Sequence, residues 1–326
     1  MVHSPVYFRL GNVDVWLLSN SAEINRRWQQ ILGPWAKDRN QQTAGLVLTL
    51  RLDLEPTLPP LPANPAIFTD ARDIIDVYRV AKTRFMLHFR AGGLIEVDVT
   101  PGAMAVQGTI TPGIFDERRL EDVTFTSLAA PLRRHSHYLL HAAGASNGDR
   151  SVLFAGASHS GKTTTSLTLL LAGWKYLAND LVLLVPYQGT VWAFPTPSEL
   201  TVRKKTLELL PGLRQYQRRP YHGKRVGPTQ VTARTLNLEK IRWAGAGPVT
   251  TICFPRVSGP PRSHLKDIPA AVGLARLMEE SVDRWDRQAL DDHVDLLASL
   301  CRQCRHYELE LGPDVARLPE LLGRAV

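Results

Sequence analysis

The feature that most constrains the fold is an eight-residue run from Gly156 to Thr163. It matches the phosphate-binding pattern G-x-x-x-x-G-K-[ST] at every fixed position. The glycines permit a tight turn in which backbone N–H groups point at phosphates, Lys162 adds a positive charge, and the Thr163 hydroxyl is a ligand for Mg²⁺. The run predicts a nucleotide site formed by Gly156, Ala157, Ser158, His159, Ser160, Gly161, Lys162, Thr163 and Thr164.

The residues on either side of this run supply the setting that the pattern requires. Residues 151–155 form a short apolar run typical of a buried strand, and residues 164–172 form a nearly continuous apolar run of helix length. Gly173 follows as a C-terminal cap. The order of strand, glycine loop and helix therefore favours a true phosphate loop over a chance glycine-rich turn.

Length and composition indicate an ordinary globular protein. The chain has 326 residues, 44% hydrophobic and 21% charged, which is enough for one large domain or two medium ones. It contains no apolar run long enough to span a membrane, and its first residues lack the pattern of a secretory signal. Three cysteines are few, as expected in a reducing cytoplasm. We therefore expect a cytoplasmic protein without membrane contact.

Two of the cysteines, Cys301 and Cys304, have C-x-x-C spacing and invite a metal or redox interpretation. A closed structural zinc site needs four ligands, and no second Cys or His pair has a suitable spacing relative to this one. The pair falls in a segment with a helical pattern. We therefore interpret both residues as packed helix positions.

The formal net charge of +8 is concentrated in one stretch. Eight Lys or Arg residues occur between Arg203 and Arg225, against the single acid Glu208. The stretch suits an anionic ligand, with Arg203, Lys224 and Arg225 as candidates for clamping phosphate or an acidic substrate. Asn179, outside this stretch, is a further candidate for the same role. The stretch is equally consistent with a solvated basic loop. No recognition-helix, zinc-finger or single-strand-binding signature favours nucleic acid.

The first part of the chain has the pattern of a small α+β domain dominated by antiparallel strands. A helix with Ser21 as its cap is predicted over residues 22–35, and a proline-rich connector follows the strand at 46–54. Pro112-Gly113 breaks the pattern, which places a domain boundary near residue 115. Strands are predicted at residues 6–10, 13–19, 46–54, 75–80, 84–89, 93–99 and 103–110.

The second part, residues 116–326, is predicted to contain the nucleotide core. A mostly helical segment at 117–140 leads into that core at residues 139–186. Further strands are predicted at 190–194, 249–254 and 306–311, and helices at 268–285, 289–304 and 316–322.

Two polar positions near the loop bear on the chemistry. Asn179 and Asp180 stand at the start of an apolar strand predicted over residues 176–185, and Asp180 follows Lys162 by eighteen residues. A carboxylate there can hold Mg²⁺ directly or through water, as the acid of a Walker-B strand does. His141 precedes Gly156 by fifteen residues, a position that indicates a strand end close to the loop.

These residues carry a family resemblance. Leu140-His-Ala, then Gly156-x4-Gly-Lys-Thr, then Ala172-Gly-Trp-Lys-Tyr-Leu-Ala-Asn-Asp180 resembles HPr kinase/phosphorylase and its related serine kinases over about forty residues without a gap. The family has Gly where this chain has Ala142, and Asp where it has Asn179. The resemblance implies an α/β P-loop kinase core of the HPr kinase and phosphoenolpyruvate carboxykinase type, preceded here by the smaller α+β domain. It also implies a homo-oligomer.

The reaction that the resemblance implies is phosphoryl transfer from ATP to a hydroxyl, most simply a serine of a peptide or protein. Lys162 and the loop amides would neutralise the terminal phosphates, while Thr163 and Asp180 would hold Mg²⁺. Either Asp180 or His141 would take the hydroxyl proton. Structural alternatives are a hydrogen-bonded histidine at 141 and a turn-capping aspartate at 180. His159 is expected to contribute only its backbone amide.

Other functions remain open on the sequence. The same core can phosphorylate a small hydroxyl-bearing metabolite instead of a peptide. Asn179 supports a nucleotide-binding regulator with little turnover, because loss of a carboxylate is one way a kinase core becomes inactive. The basic stretch supports a nucleic-acid-dependent ATPase. The first domain is a candidate for substrate recognition, by addition of a peptide strand to its sheet.

Overall fold

The computed structural model of the chain describes residues 4–36, 45–70, 74–100, 102–116, 119–148, 150–217, 233–259, 261–280 and 285–325. It has a mixed α/β architecture that divides into two compact units. The first comprises Met1–Tyr138 with Val282–Asp291, and the second Leu139–Ser281 with Asp292–Val326. The domain boundary predicted near residue 115 lies inside the first unit. The structure describes no helix long and apolar enough to cross a membrane.

The first unit is built on a sheet that has eight strands within the described residues. Its order is β1-β2-β3-β8-β7-β6-β5-β4, in which β2, β3 and β8 run parallel and the other neighbours run antiparallel. The strands are β1 (Val6–Leu10), β2 (Val13–Leu18), β3 (Leu46–Leu54), β4 (Phe68–Thr69), β5 (Ile75–Arg79), β6 (Arg84–Phe89), β7 (Gly93–Asp98) and β8 (Ala105–Ile110). The strands predicted in this part are present, with ends shifted by at most two residues.

Helices α1 (Ala22–Leu32), α2 (Gly113–Asp116) and α3 (Leu120–Arg133) belong to the same unit. The apolar stripe of α1 is buried, and the indole N–H of Trp28 donates to the hydroxyl of Thr124 on α3 at 3.0 Å. The predicted helix over 22–35 is too long, because Gly33 leaves the helical region and Pro34 continues the chain as a 3₁₀ turn. Ser21 occupies the N-cap position as predicted, but its side chain makes no capping hydrogen bond.

The second unit is organised around the long strand β17. Its sheet has the order β12-β10-β11-β17-β14-β13-β9, with β19 on β17 and β18 on β19. A separate pair is formed by β15 and β16. The strands are β9 (Tyr138–Leu140), β10 (Ala142–Asn147), β11 (Arg150–Ala155), β12 (Lys175–Ala178), β13 (Val182–Tyr187), β14 (Thr190–Phe194), β15 (Thr201–Arg203), β16 (Ala233–Thr235), β17 (Gly247–Val257), β18 (His264–Asp267) and β19 (Arg305–Leu311).

Three strands of this sheet, β11, β17 and β19, run parallel side by side. Their carboxyl ends therefore lie at one edge of the sheet. Strand β10 runs antiparallel to both β11 and β12, so β10 begins at that edge and β12 ends there. The loop after β11, the residue before β10 and the two residues after β12 are thus brought to a common edge.

The remaining helices are α4 (Lys162–Leu171), α5 (Lys204–Leu209), α6 (Ala270–Glu279), α7 (Leu290–Gln303) and α8 (Leu318–Gly323). Helix α4 packs on two sides: Leu169 joins a core with Val152 and Phe154, whereas Leu167 and Leu170 join another core around Tyr176. This double burial explains the nearly continuous apolar pattern of the segment.

Three further predictions need correction. The segment 117–140 is helical only to Arg133, and its last residues form β9. The predicted helix 268–285 ends at Glu279 within the described residues. The single strand predicted over 176–185 is two strands, β12 and β13. Asn179 and Asp180 occupy the bend between them, where polar side chains can bond locally.

Candidate functional site

The glycine loop connects the end of β11 to the first residue of α4. Gly156 and Gly161 have φ angles of 139° and 110°, and His159 has a φ of 70°, all in the region that favours glycine. A Cβ atom at Gly161 would also overlap the side chain of Leu311 on β19. The backbone conformation at position 161 therefore favours glycine, and any other residue there would also displace the end of the Leu311 side chain.

Helix α4 begins directly beneath this loop. The N–H of Thr165 donates to the carbonyl of Gly161 at 2.9 Å, which is the first bond of the helix. The N–H groups just before it are those that an α-helix leaves without an intrahelical acceptor. Together with the helix dipole they make the N-terminus of α4 suited to an anion.

Lys162 lies within the loop and is only 5% exposed. Its ammonium donates to the carbonyl of Gly156 and, at 3.3 Å, to that of Ala157. A buried ammonium needs such acceptors, because burial without them is costly. The positive charge is therefore held against the loop that the sequence predicts to bind phosphates.

A hydrogen-bonded cluster joins the start of α4 to the bend after β12. The Oδ1 atom of Asn179 accepts from the Thr163 hydroxyl at 3.3 Å, and its Nδ2 donates to Oδ2 of Asp180 at 2.8 Å. Asn179 is 4% exposed, whereas Asp180 is exposed. The structure thus brings Thr163 together with Asn179, which follows it by 16 residues, and with the neighbouring Asp180.

Tyr176 also belongs to this hydrogen-bonded cluster, and the sequence analysis missed it. Its hydroxyl donates to Oδ1 of Asn179 at 3.2 Å and accepts from the Ser166 hydroxyl at 3.4 Å. Burial, aided by the charge of Asp180, raises the pKa of Tyr176 far above its ordinary value. The phenol therefore remains a neutral donor. Only its place in an apolar strand was visible in the sequence, and that pattern gives no sign of a polar role.

None of the three cysteine thiols is activated as a nucleophile. Cys253 and Cys301 are buried and Cys304 is half-buried, and all three are free thiols. Burial raises the pKa of each thiol, that of Cys301 to about 11. Among the described residues, no group of three or more His, Cys, Asp or Glu side chains is arranged to hold a metal ion.

Arg203, at the end of β15, reaches the tip of the loop. Its guanidinium nitrogens contact both ring nitrogens of His159, one of them at 3.1 Å. A guanidinium only donates, and a neutral imidazole accepts at one nitrogen, so one of the two contacts cannot be a good hydrogen bond. Arg203 therefore keeps donor capacity beside the loop. The other two predicted clamp residues, Lys224 and Arg225, lie outside the described residues.

His141 lies at the same edge of the sheet, between β9 and β10. The next residue, Ala142, is the register partner of Ala155, the last strand residue before the loop. The Nδ1 atom of His141 is 3.0 Å from Oε2 of Glu280, and its backbone N–H donates to the Glu280 carbonyl at 3.2 Å. Within the described residues His141 makes no hydrogen bond to Asp180.

Glu280 follows the last residue of α6 and was also missed by the sequence analysis. It belongs to a segment whose helical pattern predicts packing, and no motif singles it out. Its side chain is 13% exposed and that of His141 is 25% exposed, so the pair is largely shielded from water. A carboxylate on Nδ1 fixes the orientation of an imidazole and leaves Nε2 available to exchange a proton.

Comparisons with known proteins add little to this geometry. No protein-family model matches the chain, and no match to a curated protein was found. Among solved structures, the HPr(Ser) kinase/phosphatase from Coxiella burnetii aligns with 57% of this chain and 92% of its own, at 10% sequence identity. The TM-score is 0.26, so the similarity indicates a distant relationship at most and does not establish a shared function.

Proposed function

We propose that the protein is an ATP- and Mg²⁺-dependent kinase that transfers a phosphoryl group to a hydroxyl, most simply a serine of a peptide or protein. One observation carries this proposal. The glycine loop enters the N-terminus of α4 at the sheet edge where Asn179 links Thr163 to Asp180. A phosphate loop alone indicates a nucleotide, whereas an adjacent hydroxyl and carboxylate supply what phosphoryl transfer needs.

The triphosphate would be bound by the loop. Backbone N–H groups and the N-terminus of α4 would contact the phosphate oxygens, and the Lys162 ammonium would exchange its carbonyl acceptors for them. Arg203 would supply a second cation from β15. The fixed donors of the loop would stabilise the charge that develops on the transferred group, whereas Arg203 would contribute to ATP binding.

The oxygen ligands beside the loop fit Mg²⁺. The Thr163 hydroxyl and the exposed Asp180 carboxylate are hard donors of the kind this ion takes, and Mg²⁺ sites on phosphates commonly use one or two protein ligands. When bound, the ion would neutralise negative charge on the phosphate groups. Thr163 and Asp180 are the residues that would hold it.

The proton of the acceptor hydroxyl would pass to Nε2 of His141. The Glu280 carboxylate, 3.0 Å from Nδ1, would hold the imidazole proton on that nitrogen and so leave Nε2 as the acceptor. Asp180 is less suited to this task, because one of its oxygens already accepts from Asn179. The acceptor molecule itself is a peptide or protein serine in this proposal, with a small metabolite as the alternative.

The test is transfer of γ-labelled phosphate from ATP, in the presence of Mg²⁺, to candidate peptides, proteins and small hydroxyl compounds. Lys162→Ala should abolish transfer. Lys175→Ala removes an exposed lysine at the start of β12 and should leave transfer unchanged. Transfer that survives Lys162→Ala would reject this site. Tight nucleotide uptake without turnover on any acceptor would instead favour a nucleotide-binding regulator.

A further inference from the structure

The amide of Asn179 has contacts of two kinds, and their chemistry fixes its orientation. An ionised Asp180 only accepts hydrogen bonds, so the atom that faces it at 2.8 Å must be the amide nitrogen. The amide oxygen then faces the hydroxyls of Thr163 and Tyr176, at 3.3 Å and 3.2 Å, and both must donate to it. The amide is therefore an acceptor on one side and a donor on the other.

We propose that Asn179 is a positioning residue for the metal ligands, and that its amide performs a task which an aspartate at this position cannot. This inference rests on the proposed nucleotide and Mg²⁺ site. Thr163 donates its proton to Asn179, so its oxygen lone pairs are left for a cation. The N–H of the same amide holds one oxygen of Asp180 and leaves the other for the cation.

An aspartate in place of Asn179 would keep only half of this arrangement. Its carboxylate could accept from Thr163 and Tyr176, but it would have no N–H for Asp180. Two carboxylate oxygens would then face each other across a distance that now holds a 2.8 Å hydrogen bond. Their repulsion would turn Asp180 away from Thr163.

Burial makes this arrangement specific. Asn179 is 4% exposed, and the side chain behind it, Tyr176, is fully buried. Water cannot readily replace a lost partner at such positions, so the orientation of the amide depends on these side chains. Tyr176 holds the amide oxygen from one side while Ser166 on α4 holds the Tyr176 hydroxyl.

On this inference, Asn179 orients the metal ligands and is not the remnant of a lost catalytic carboxylate. Restoring an acid at this position would weaken the site instead of repairing it. The inference concerns how the metal ligands are arranged and is independent of which acceptor receives the phosphoryl group.

The experiment measures binding of a non-hydrolysable ATP analogue to the full chain by calorimetry, with Mg²⁺ and with EDTA. The quantity of interest is the ratio of the two dissociation constants, the Mg²⁺-dependent tightening. Asn179→Asp should reduce this ratio about 10–100-fold, the usual cost of losing a group that orients metal ligands. Asn179→Ala should reduce it as well, because the positioning is lost without added repulsion.

Two further variants guard against misinterpretation. Asn147→Asp makes the same chemical change at an exposed position at the end of β10 and should leave the ratio unchanged. Tyr176→Phe removes one of the two donors to the amide and should give a smaller loss, because Thr163 still donates. If circular dichroism shows that neither Asn179 variant folds, the Tyr176→Phe variant still tests the inference.

The outcomes separate the inference from the proposed function. If the wild-type chain takes up no nucleotide, the proposed function is rejected and the inference with it. If the wild type shows Mg²⁺-dependent tightening and folded Asn179→Asp retains or increases it, the inference alone is overturned. Unchanged tightening in folded Asn179→Ala would also overturn it.

Discussion

Both units contain three strands that run parallel side by side, but the polar groups at the carboxyl ends of these strands are hydrogen-bonded differently. In the first unit the strands are β2, β3 and β8. There the Asn20 side chain accepts from the N–H of Leu54 at 2.8 Å and donates to its carbonyl at 3.4 Å. The N–H of Asn20 donates to Asp53 at 3.2 Å. The polar groups at this edge satisfy one another.

In the second unit the corresponding strands are β11, β17 and β19. The chain after β11 forms a glycine loop and runs directly into α4, whose first N–H groups lack acceptors within the helix. The comparison shows that parallel strands only provide the edge. The residues that follow each strand decide whether the edge is closed by its own side chains or is open to a ligand.

Charged groups show the same contrast. In the first unit the Asp76 carboxylate accepts two hydrogen bonds from the Arg90 guanidinium, both at 2.9 Å, and one from Thr69 at 2.8 Å. In the second unit the Arg203 guanidinium meets an imidazole instead of a carboxylate. We interpret the first arrangement as stabilising the fold and the second as reserved for an anionic ligand.

The largest effect is expected at the edge of the second unit where we propose that phosphoryl transfer takes place. His141→Ala should lower kcat for phosphoryl transfer about 10²–10⁴-fold, the usual contribution of a general base. Glu280→Gln should lower kcat less, with little change in KM for ATP, because the imidazole loses only its orienting partner. Steady-state kinetics over a range of pH measures both effects.

Glu279→Gln is the matched control for this pair, since Glu279 is the exposed neighbour of Glu280. It should leave kcat unchanged. If Glu280→Gln and Glu279→Gln behave alike, the ion pair at His141 has no part in the reaction.

The next largest effect is expected on stability, at the ion pair between Asp76 and Arg90 in the first unit. The hydrogen bonds from Arg90, followed by that from Thr69, lower the pKa of Asp76 to about 2, against a burial effect that acts in the opposite direction. A carboxyl whose pKa is lower in the folded state stabilises the fold above its unfolded pKa of about 4, and this contribution disappears as the pH falls towards 2. At neutral pH it amounts to about 2 kcal/mol.

Asp76→Asn should therefore lower the free energy of unfolding by about 2 kcal/mol at pH 7, and its difference from the wild type should shrink between about pH 4 and pH 2. Urea titrations at several pH values measure this. Asp122→Asn removes a surface pair with Arg119 and should cost less than about 1 kcal/mol. A difference between Asp76→Asn and the wild type that does not vary with pH would contradict this account.

The smallest effect is expected for the cation at the tip of the loop. Arg203→Ala should raise KM for ATP about tenfold with little change in kcat. The reason is that the guanidinium would bind the phosphates of ATP equally strongly before and during transfer. The increase should diminish at high salt, which screens such contacts. Lys204→Ala, at the exposed neighbouring residue, should have a much smaller effect. Equal effects of the two variants would show that only the general basic charge matters.

Several structural features follow from the sequence directly. Alternating leucines over residues 46–54 predict β3, and Leu48, Leu50 and Leu52 are fully buried as that pattern requires. Gly156 and Gly161 predict a loop with positive φ angles, which the structure has. Such features depend on neighbouring residues alone, so local periodicity and conformational preference are sufficient to predict them.

Other features could not be predicted because they depend on contacts between distant residues. The run over residues 176–185 is apolar on both sides of Asn179, so its period does not reveal that β12 pairs with β10 while β13 pairs with β14. Glu280 lies 139 residues after His141, and only the return of α6 to the sheet edge places the two together.

The sequence by itself determined where the glycine loop lies, and it predicted a phosphate site there with Thr163, Asn179 and Asp180 beside it. The tertiary structure decided how these residues are joined, since the amide of Asn179 is directed by a buried phenol on β12 and a hydroxyl on α4. A motif consists of residues close together in the sequence, so it can be recognised without knowing the tertiary contacts. Hydrogen-bond partners depend on which strands pair, and strand pairing is settled only when the whole core packs.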